Sequence, residues 1–217
     1  MSNNKHTDIL VIGSGPGGYA AAFRAADLGR EVTLVDKDPT LGGVCLNRGC
    51  IPSKTLLHIS KVLEEAESLK KMGVTFTKPT IDIDLVRDWK NKVVSQLSGG
   101  IGQMAKARKV NTIQAEATFL SNNEVQLKSE SSTEKITFDH CIIASGSSST
   151  IIPGIPFDNE NVLTSKTALD LEKIPKSLLV IGGGYIGLEM GTVFSACLLY
   201  TSPSPRDRTR SRMPSSA

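Results

Sequence analysis

The chain has 217 residues, 39% of them hydrophobic and 22% charged, ordinary proportions for a soluble globular protein of one large domain or two small ones. Four arginines against one aspartate in the last 21 residues account for its whole formal charge of +3, so the body of the chain offers no electrostatic case for nucleic acid. No apolar run approaches the ~20 residues of a membrane span, no secretory leader pattern is seen, and four cysteines in that context do not suggest a structural disulfide framework. A cytoplasmic protein is expected.

Asp8-Ile-Leu-Val-Ile12 is a short apolar run of the kind that forms a buried parallel strand. Gly13-Ser-Gly15-Pro16-Gly-Gly18 follows at once, then an alanine-rich stretch, 19–28, that predicts a helix ending at Gly29. Residues 31–35 predict a second strand with Asp36 at its end, 23 positions after Gly13. Strand, glycine turn, helix, strand and acid in that order make a dinucleotide-binding fingerprint. One glycine permits the turn, one lets the backbone approach a pyrophosphate, and one lets helix and strand pack. The helix N-terminus offers free N–H groups to the phosphates. Asp36 is placed to hold a ribose hydroxyl. The plainer alternative is a glycine turn packed for structure alone.

The run from Leu41 to Lys54 carries Cys45 and Cys50, five residues apart. In an undistorted helix that spacing is ~7.5 Å along the axis, beyond the ~7 Å between Cα atoms that a disulfide accepts. Gly49 and Pro52 can supply an irregular turn. A helix starting beyond Pro52 would lower a nearby thiol's pKa. The alternative is two buried, reduced cysteines.

Residues 53–72 place Leu56, Ile59, Val62, Leu63, Ala66 and Leu69 at helical spacing. A second long helix is predicted over about 84–109, with Leu85, Trp89, Val93, Leu97, Ile101 and Met104 on one side. Gly99, Gly100 and Gly102 are candidate bend points, and Trp89 reads as a packing residue. Residues 110–144 read as short strands, with Cys141 a packed core cysteine on the last of them. The stretch 153–161 reads as a domain crossing. Residues 178–181 then predict another strand, followed by Gly182-Gly-Gly184-Tyr185-Ile186-Gly187 and a helix that stops near Phe194. Two fingerprints imply two nucleotide sites. The strand and acid that would complete the second do not follow.

The segment 197–217 departs from everything before it, being rich in Ser, Arg and Pro. One reading is a basic, disordered arm for nucleic acid or membrane. The reading preferred on its wording is a non-native tail, because Cys197 to Asp207 resembles the conceptual translation of a sequencing-library adapter.

The run Gly42-Gly43-Val44-Cys45-Leu-Asn-Arg48-Gly-Cys50-Ile-Pro-Ser-Lys54 resembles the active-site segment of the FAD-dependent pyridine nucleotide–disulfide oxidoreductases. Its wording is that of the dihydrolipoamide dehydrogenases rather than the glutathione reductases. The resemblance extends over roughly 7–196, including residues 167–175 and Gly182 to Glu189. It implies an α/β fold: a Rossmann-like FAD-binding domain over 1–147, with parallel sheet, helices and a small antiparallel meander, then the start of a second Rossmann-like, NAD-binding domain over 148–196.

The resemblance also implies roles. Cys45 would exchange with a substrate dithiol, and Cys50 would lie against the flavin. Lys54 would sit near the flavin N5 and pair with Glu189. FAD would be held around Gly13, Gly15, Pro16, Gly18, Asp36, Lys37, Gly42, Gly43, Val44, Cys45, Lys54, Ala117, Ala144, Ser145 and Gly146. NAD would be held at Gly182, Gly184, Tyr185, Ile186 and Gly187, with no metal. Asp36 stands where the family usually has Glu, Arg48 where it has Val, and Ser148-Ser149 where Arg-Pro is common. Arg48 is expected to put a charge beside the dithiol.

The implied reaction carries electrons from dihydrolipoamide through the cysteine pair and FAD to NAD⁺. The implied partners are lipoyl groups of 2-oxoacid dehydrogenase complexes or of the glycine cleavage system, with a homodimer for the full-length enzyme. The family's His-Glu dyad lies in a C-terminal domain, and His6, His58 and His140 do not match it. His58 reads as a helix-surface residue and His140 as a strand-end one. The chain as written is therefore expected to bind FAD weakly and to show no turnover. Mercuric or glutathione reductase, and a non-catalytic nucleotide-binding module, are the other readings.

Overall fold

Apolar runs punctuated by glycine become the inner strands of one sheet. In the computed structural model, which describes residues 5–172 and 175–198 (the last two as backbone only), β1 (Lys5–Ile12) runs into the glycine turn, α1 (Pro16–Asp27) and β2 (Val32–Asp36). Two helices follow, α2 (Gly43–Arg48) and α3 (Cys50–Ser68), and α3 tightens into a 3₁₀ turn over Leu69–Met72. Then come α4 (Ile83–Ala107), β3 (Asn111–Gln114), β4 (Glu116–Phe119), β5 (Glu124–Lys128) and β6 (Thr133–Ile143). Past the crossing are α5 (Ser165–Asp170) and α6 (Tyr185–Val193), which ends in a π turn over Phe194–Leu198. No described helix is long and apolar enough to cross a membrane. From residue 199 on, the segment read as a foreign tail lies outside the described residues.

The six strands form one sheet in the order β3-β2-β1-β6-β5-β4. The pairs β1–β2, β1–β6 and β2–β3 are parallel, and β4–β5–β6 is the expected antiparallel meander. β6 belongs to both halves. Its first residues pair antiparallel with β5, while Ile136 to Ile143 pair parallel with Lys5 to Ile12. This puts the carboxyl ends of β1, β2 and β6 side by side, where an open α/β sheet binds its ligand.

Three apolar clusters hold the layers. Val11, Phe23 and Leu34 pack with Ala105 between α1, α4 and the sheet. Leu10, Val35, Val125 and Phe138 fill the other face. Leu56 of α3 packs with Leu169, Leu171, Met190, Val193 and Phe194, which seats α5 and α6 on α3.

The structure departs from the sequence reading in two elements. Most of the side of α4 expected to be buried is outward: Leu85, Trp89, Leu97 and Met104 are exposed, Trp89 by 54%, while Val93 is half-buried and Ile101 packs inward. Lys92 lies over the Trp89 ring at 5.8 Å. The inward residues are Lys90 and Ala105, with Ile83, Val86 and Ile101 packed beside them. The helix also runs unbroken through Gly99, Gly100 and Gly102. The second departure is 178–181, which is not a strand. Leu179 and Ile181 are 85% and 69% exposed. An extended run becomes a strand only through ladder partners, and none of the described strands lies beside it.

Leu56→Ala should cost about 2–5 kcal/mol, because the leucine is 1% exposed at the junction of three helices. Urea unfolding followed by circular dichroism measures it. A loss under about 1 kcal/mol would mean that α5 and α6 do not rest on α3.

Candidate active site

The glycine turn is compact because its backbone has no room for side chains. Gly13 has φ +100, and a Cβ there would lie 2.2 Å from the Ala144 carbonyl oxygen. Ala144 N–H in turn donates to Ile12 O at 2.7 Å, locking the end of β6 onto the turn. Gly18 is buried on the first turn of α1. Gly15 caps α1 without any side-chain hydrogen bond, and Pro16 follows. The first-turn N–H groups of α1 are thus aimed out of the sheet end, an anion-binding arrangement.

The redox turn is built against this one. Gly42 N–H donates to Ser14 O at 2.9 Å. A Cβ on Gly43, which has φ +60, would lie 2.6 Å from Gly15 Cα. Asn47 Nδ2 donates to Leu41 O at 3.2 Å and Gly43 O at 3.1 Å, holding the start of α2. Gly49 then interrupts the helix. A Cβ on Gly49 would be 3.0 Å from Val44 O and 3.4 Å from Cys45 Cα. The chain doubles back on the first turn of α2, so Cys50, the first residue of α3, returns to Cys45. This is the broken helix that the spacing demanded.

Both cysteines are free thiols, Cys45 half-buried and Cys50 exposed. The Cys45 thiol is pushed up, by burial first and by the adjoining Cys50 thiol second; a backbone hydrogen bond at Cys50 and the Lys54 charge pull less strongly the other way. The expected lowering by a helix N-terminus does not prevail there. Lys54, one turn after Cys50, donates to Glu189 Oε1 of α6 at 2.5 Å. That hydrogen bond outweighs the lowering by lost solvation and holds Lys54 above its ordinary pKa.

Asp36 accepts from Ser14 N and Ser14 Oγ, both at 2.6 Å on Oδ2, and from Asp38 N at 2.9 Å on Oδ1. Burial opposes its ionised form, but these hydrogen bonds and the Arg48 charge outweigh it, so the carboxyl lies below its ordinary value. The Arg48 guanidinium, expected to put a charge beside the dithiol, is paired with Asp38. Ser14, Asp38 and Asn47 are site residues the sequence reading passed over. Ser14 and Asn47 lay inside the quoted motifs, whereas Asp38 lay outside them.

The remaining expected positions differ in exposure. Val44 is exposed on α2, and Lys37 is exposed beyond β2 with its carbonyl accepting from Gln114 at 3.4 Å. Ala117 is half-buried on β4, while Ser145 and Gly146 are exposed after β6. His58 and His140 lie exposed on α3 and β6, and Cys141 is half-buried against the core. In the second glycine turn, Gly182 has φ +103, matching Gly13, and Gly184 caps α6 as Gly15 caps α1. A Cβ on Gly187 would meet Gly182 O at 3.1 Å. Tyr185 and Ile186 are exposed at its rim.

A parallel-sheet end with a glycine cradle, a cysteine pair folded against it and a second glycine turn define a dinucleotide-dependent disulfide redox protein. The sequence profile of the family described as pyridine nucleotide-disulphide oxidoreductase matches residues 7–202, and the chain belongs to that family. It is 48% identical over 194 residues to the dihydrolipoyl dehydrogenase of Vibrio parahaemolyticus, covering 89% of this chain and 41% of that protein. It is 49% identical over 189 residues to that of Bacillus subtilis, covering 87% and 40%. The chain thus spans about two-fifths of the length of these curated relatives. The solved structure of RclA, a HOCl-induced flavoprotein disulfide reductase from Escherichia coli, superposes with a TM-score of 0.73 at 26% identity, covering 87% of this chain and 40% of that one.

Replacing Asp36 by Asn should cost roughly 1–2 kcal/mol near neutral pH, the scale of two charge-assisted hydrogen bonds on a half-buried group. A carboxyl held below 3.8 contributes its stability fully above that pH and loses it as pH falls through the lower folded value. The gap between wild type and Asp36→Asn in urea midpoints should therefore be equal at about pH 7 and pH 5, then close toward about pH 3. A gap that persists there would rule out the ionised carboxylate as its source.

Proposed function

We propose that this chain is the FAD-binding and redox-dithiol part of a dihydrolipoyl dehydrogenase, with residues 1–147 as the FAD-binding domain and 148–196 as the beginning of the NAD-binding one. The observation that carries this reading is the cysteine pair folded against the first glycine cradle and tied by Lys54–Glu189 to the second. The residues present fit a dinucleotide: Gly13, Gly18 and Gly43 leave room only for backbone, and the N-terminal turn of α1 has no side-chain cap. The spare lone pair of Asp36 Oδ1 suits a ribose hydroxyl.

The bound flavin supplies a two-electron relay from dithiol to nicotinamide. The chain's own residues handle the sulfur chemistry. A thiolate of dihydrolipoamide attacks Cys45 Sγ of the oxidised pair, and the Cys45–Cys50 bond breaks to leave a Cys50 thiolate. The second substrate sulfur, losing its proton, displaces Cys45 and closes the lipoamide ring. The dithiol so formed passes two electrons on and is disulfide again. Lys54, one helical turn from Cys50, holds positive charge near the thiolate. The natural partners on this reading are lipoyl groups carried by 2-oxoacid dehydrogenase complexes or the glycine cleavage system, the full-length enzyme is a homodimer, and the compartment is the cytoplasm.

The structural likeness to RclA keeps a second reading, a flavoprotein disulfide reductase with another substrate. One experiment separates them. FAD titrated into the chain should be quenched on binding, and partial reduction should raise a long-wavelength absorbance that Cys50→Ser abolishes and Cys45→Ser spares. Dihydrolipoamide should reduce the oxidised pair at least tenfold faster than glutathione at equal thiol. Absence of the absorbance once quenching shows the chain saturated with FAD would overturn the flavin reading; equal rates would favour the second.

A further inference from the structure

α5 opens with a capping box between Thr164 and Thr167. The chain leaves it at Leu171 with φ 53, a left-handed conformation that leucine rarely adopts. Two cations of α4, about eighty positions earlier, meet the carbonyls there. Lys90 Nζ donates to Leu169 O at 2.6 Å, Arg87 Nε to Asp170 O at 3.2 Å, and Arg87 Nη2 to Leu171 O at 2.5 Å. Arg87 Nη1 is itself anchored on Asp84 at 2.6 Å. Cations at a helix C-terminus are favourably placed, yet Lys90 is only 5% exposed. Burial lowers its pKa, partly offset by Asp170, and a buried ammonium is costly unless its bonds repay the lost water.

What those bonds secure lies beyond α5. The side chains of Leu169 and Leu171, 4% and 2% exposed, enter the cluster with Leu56, Met190 and Val193. Met190 follows Glu189 on α6, so the clamped carbonyls and the Lys54 partner belong to one packed unit.

We propose that Arg87 and Lys90 are positioning residues for the redox turn: by holding the carbonyls of residues 169–171 they seat α6 so that Glu189 stays on Lys54, and thereby set the charge that Cys45 and Cys50 experience. Cys50 of α3 faces Cys45 of α2, and Lys54 adds its charge to both. Glu189 reaches them from α6 through Lys54, and Arg48 is turned to Asp38. Glu189 therefore masks part of the positive charge that Lys54 directs at the thiols. Loosening α6 unmasks it, thiolate is favoured, and the cysteines react faster near neutral pH.

The test is iodoacetamide labelling of the full 217-residue chain, reduced and without flavin, with Cys45 and Cys50 rates read separately from Cys141 and Cys197 by peptide mass spectrometry. Glu189→Gln should raise the Cys45 and Cys50 rates at about pH 7 by roughly threefold, half a pH unit in midpoint. Lys90→Met and Arg87→Gln should each do the same, and Lys90→Met with Glu189→Gln should add nothing further. The Cys141 rate and the circular dichroism should stay at wild type. Should Lys90→Met unfold the chain, Arg87→Gln decides. Wild-type rates in a folded clamp variant, or in Glu189→Gln itself, would overturn the proposal. It rests on the Lys54–Glu189 pair and not on flavin, so it stands or fails separately from the FAD titration.

Discussion

Every feature of the candidate site depends on the contact of two backbones, Gly15 with Gly43. A side chain on Gly43 would overlap Gly15 Cα, and the Gly42–Ser14 hydrogen bond closes the same gap from the other side. This contact turns two local motifs into one site. It fixes Cys45, two residues on from Gly43, relative to the N-terminus of α1. Interiors pack too densely to absorb an added methylene at such a point, so glycine at position 43 is a steric requirement, whereas a Cβ on Gly15 would sit in ordinary contact, 4.0 Å from Gly43 Cα. Gly49 repeats the device inside the redox turn, bringing the start of α3 against Val44 and Cys45.

The ion pairs around this contact differ in purpose, and exposure decides which is which. Arg48–Asp38 is largely shielded, at 32% and 22%, and ties the redox turn to the strand end that carries Asp36. Asp36 in turn grips both the N–H and the hydroxyl of Ser14 in the glycine turn. Strand end, glycine turn and redox turn therefore form a closed ring of polar contacts. Lys54–Glu189 is different, with the lysine side chain 61% exposed. A pair that open contributes little to stability. Its consequence is electrostatic and local: the charge that remains on Lys54 for the two thiols.

The first fingerprint was legible because it is local. Strand, turn, helix and acid are contiguous in residues 5–36, and each glycine's reason lies within a few residues or on the neighbouring strand. The broken helix between the cysteines was legible for the same reason, from spacing and Gly49 alone. The orientation of α4 was not. Both of its faces carry apolar residues, and the inward Lys90 finds its acceptor 79 residues away. Periodicity alone cannot weigh a buried lysine that caps a distant helix. The direction of Arg48 was likewise hidden, since it depends on Asp38 standing where β2 ends. The second fingerprint divides along this line. Its turn keeps the dihedrals of the first, with φ +103 at Gly182 against +100 at Gly13, because glycine and the helix start dictate them locally. Residues 178–181 stay out of the sheet because a strand requires neighbours.

The thiols show why that division matters for chemistry. Motif reasoning from a helix N-terminus argued for a lowered pKa, whereas burial and the neighbouring thiol hold Cys45 protonated above its ordinary range. A helix end acts over its first turn and weakens with solvent; desolvation acts on the thiolate directly. Cys45 therefore favours its neutral form, and Lys54, the cation able to stabilise its thiolate, is already engaged by Glu189. Reactivity here is governed by how firmly α6 is held, and α6 is held by packing on α3 and α5. The apolar cluster around Leu56 is thus as much a part of the sulfur chemistry as Lys54, although none of its side chains bears a charge.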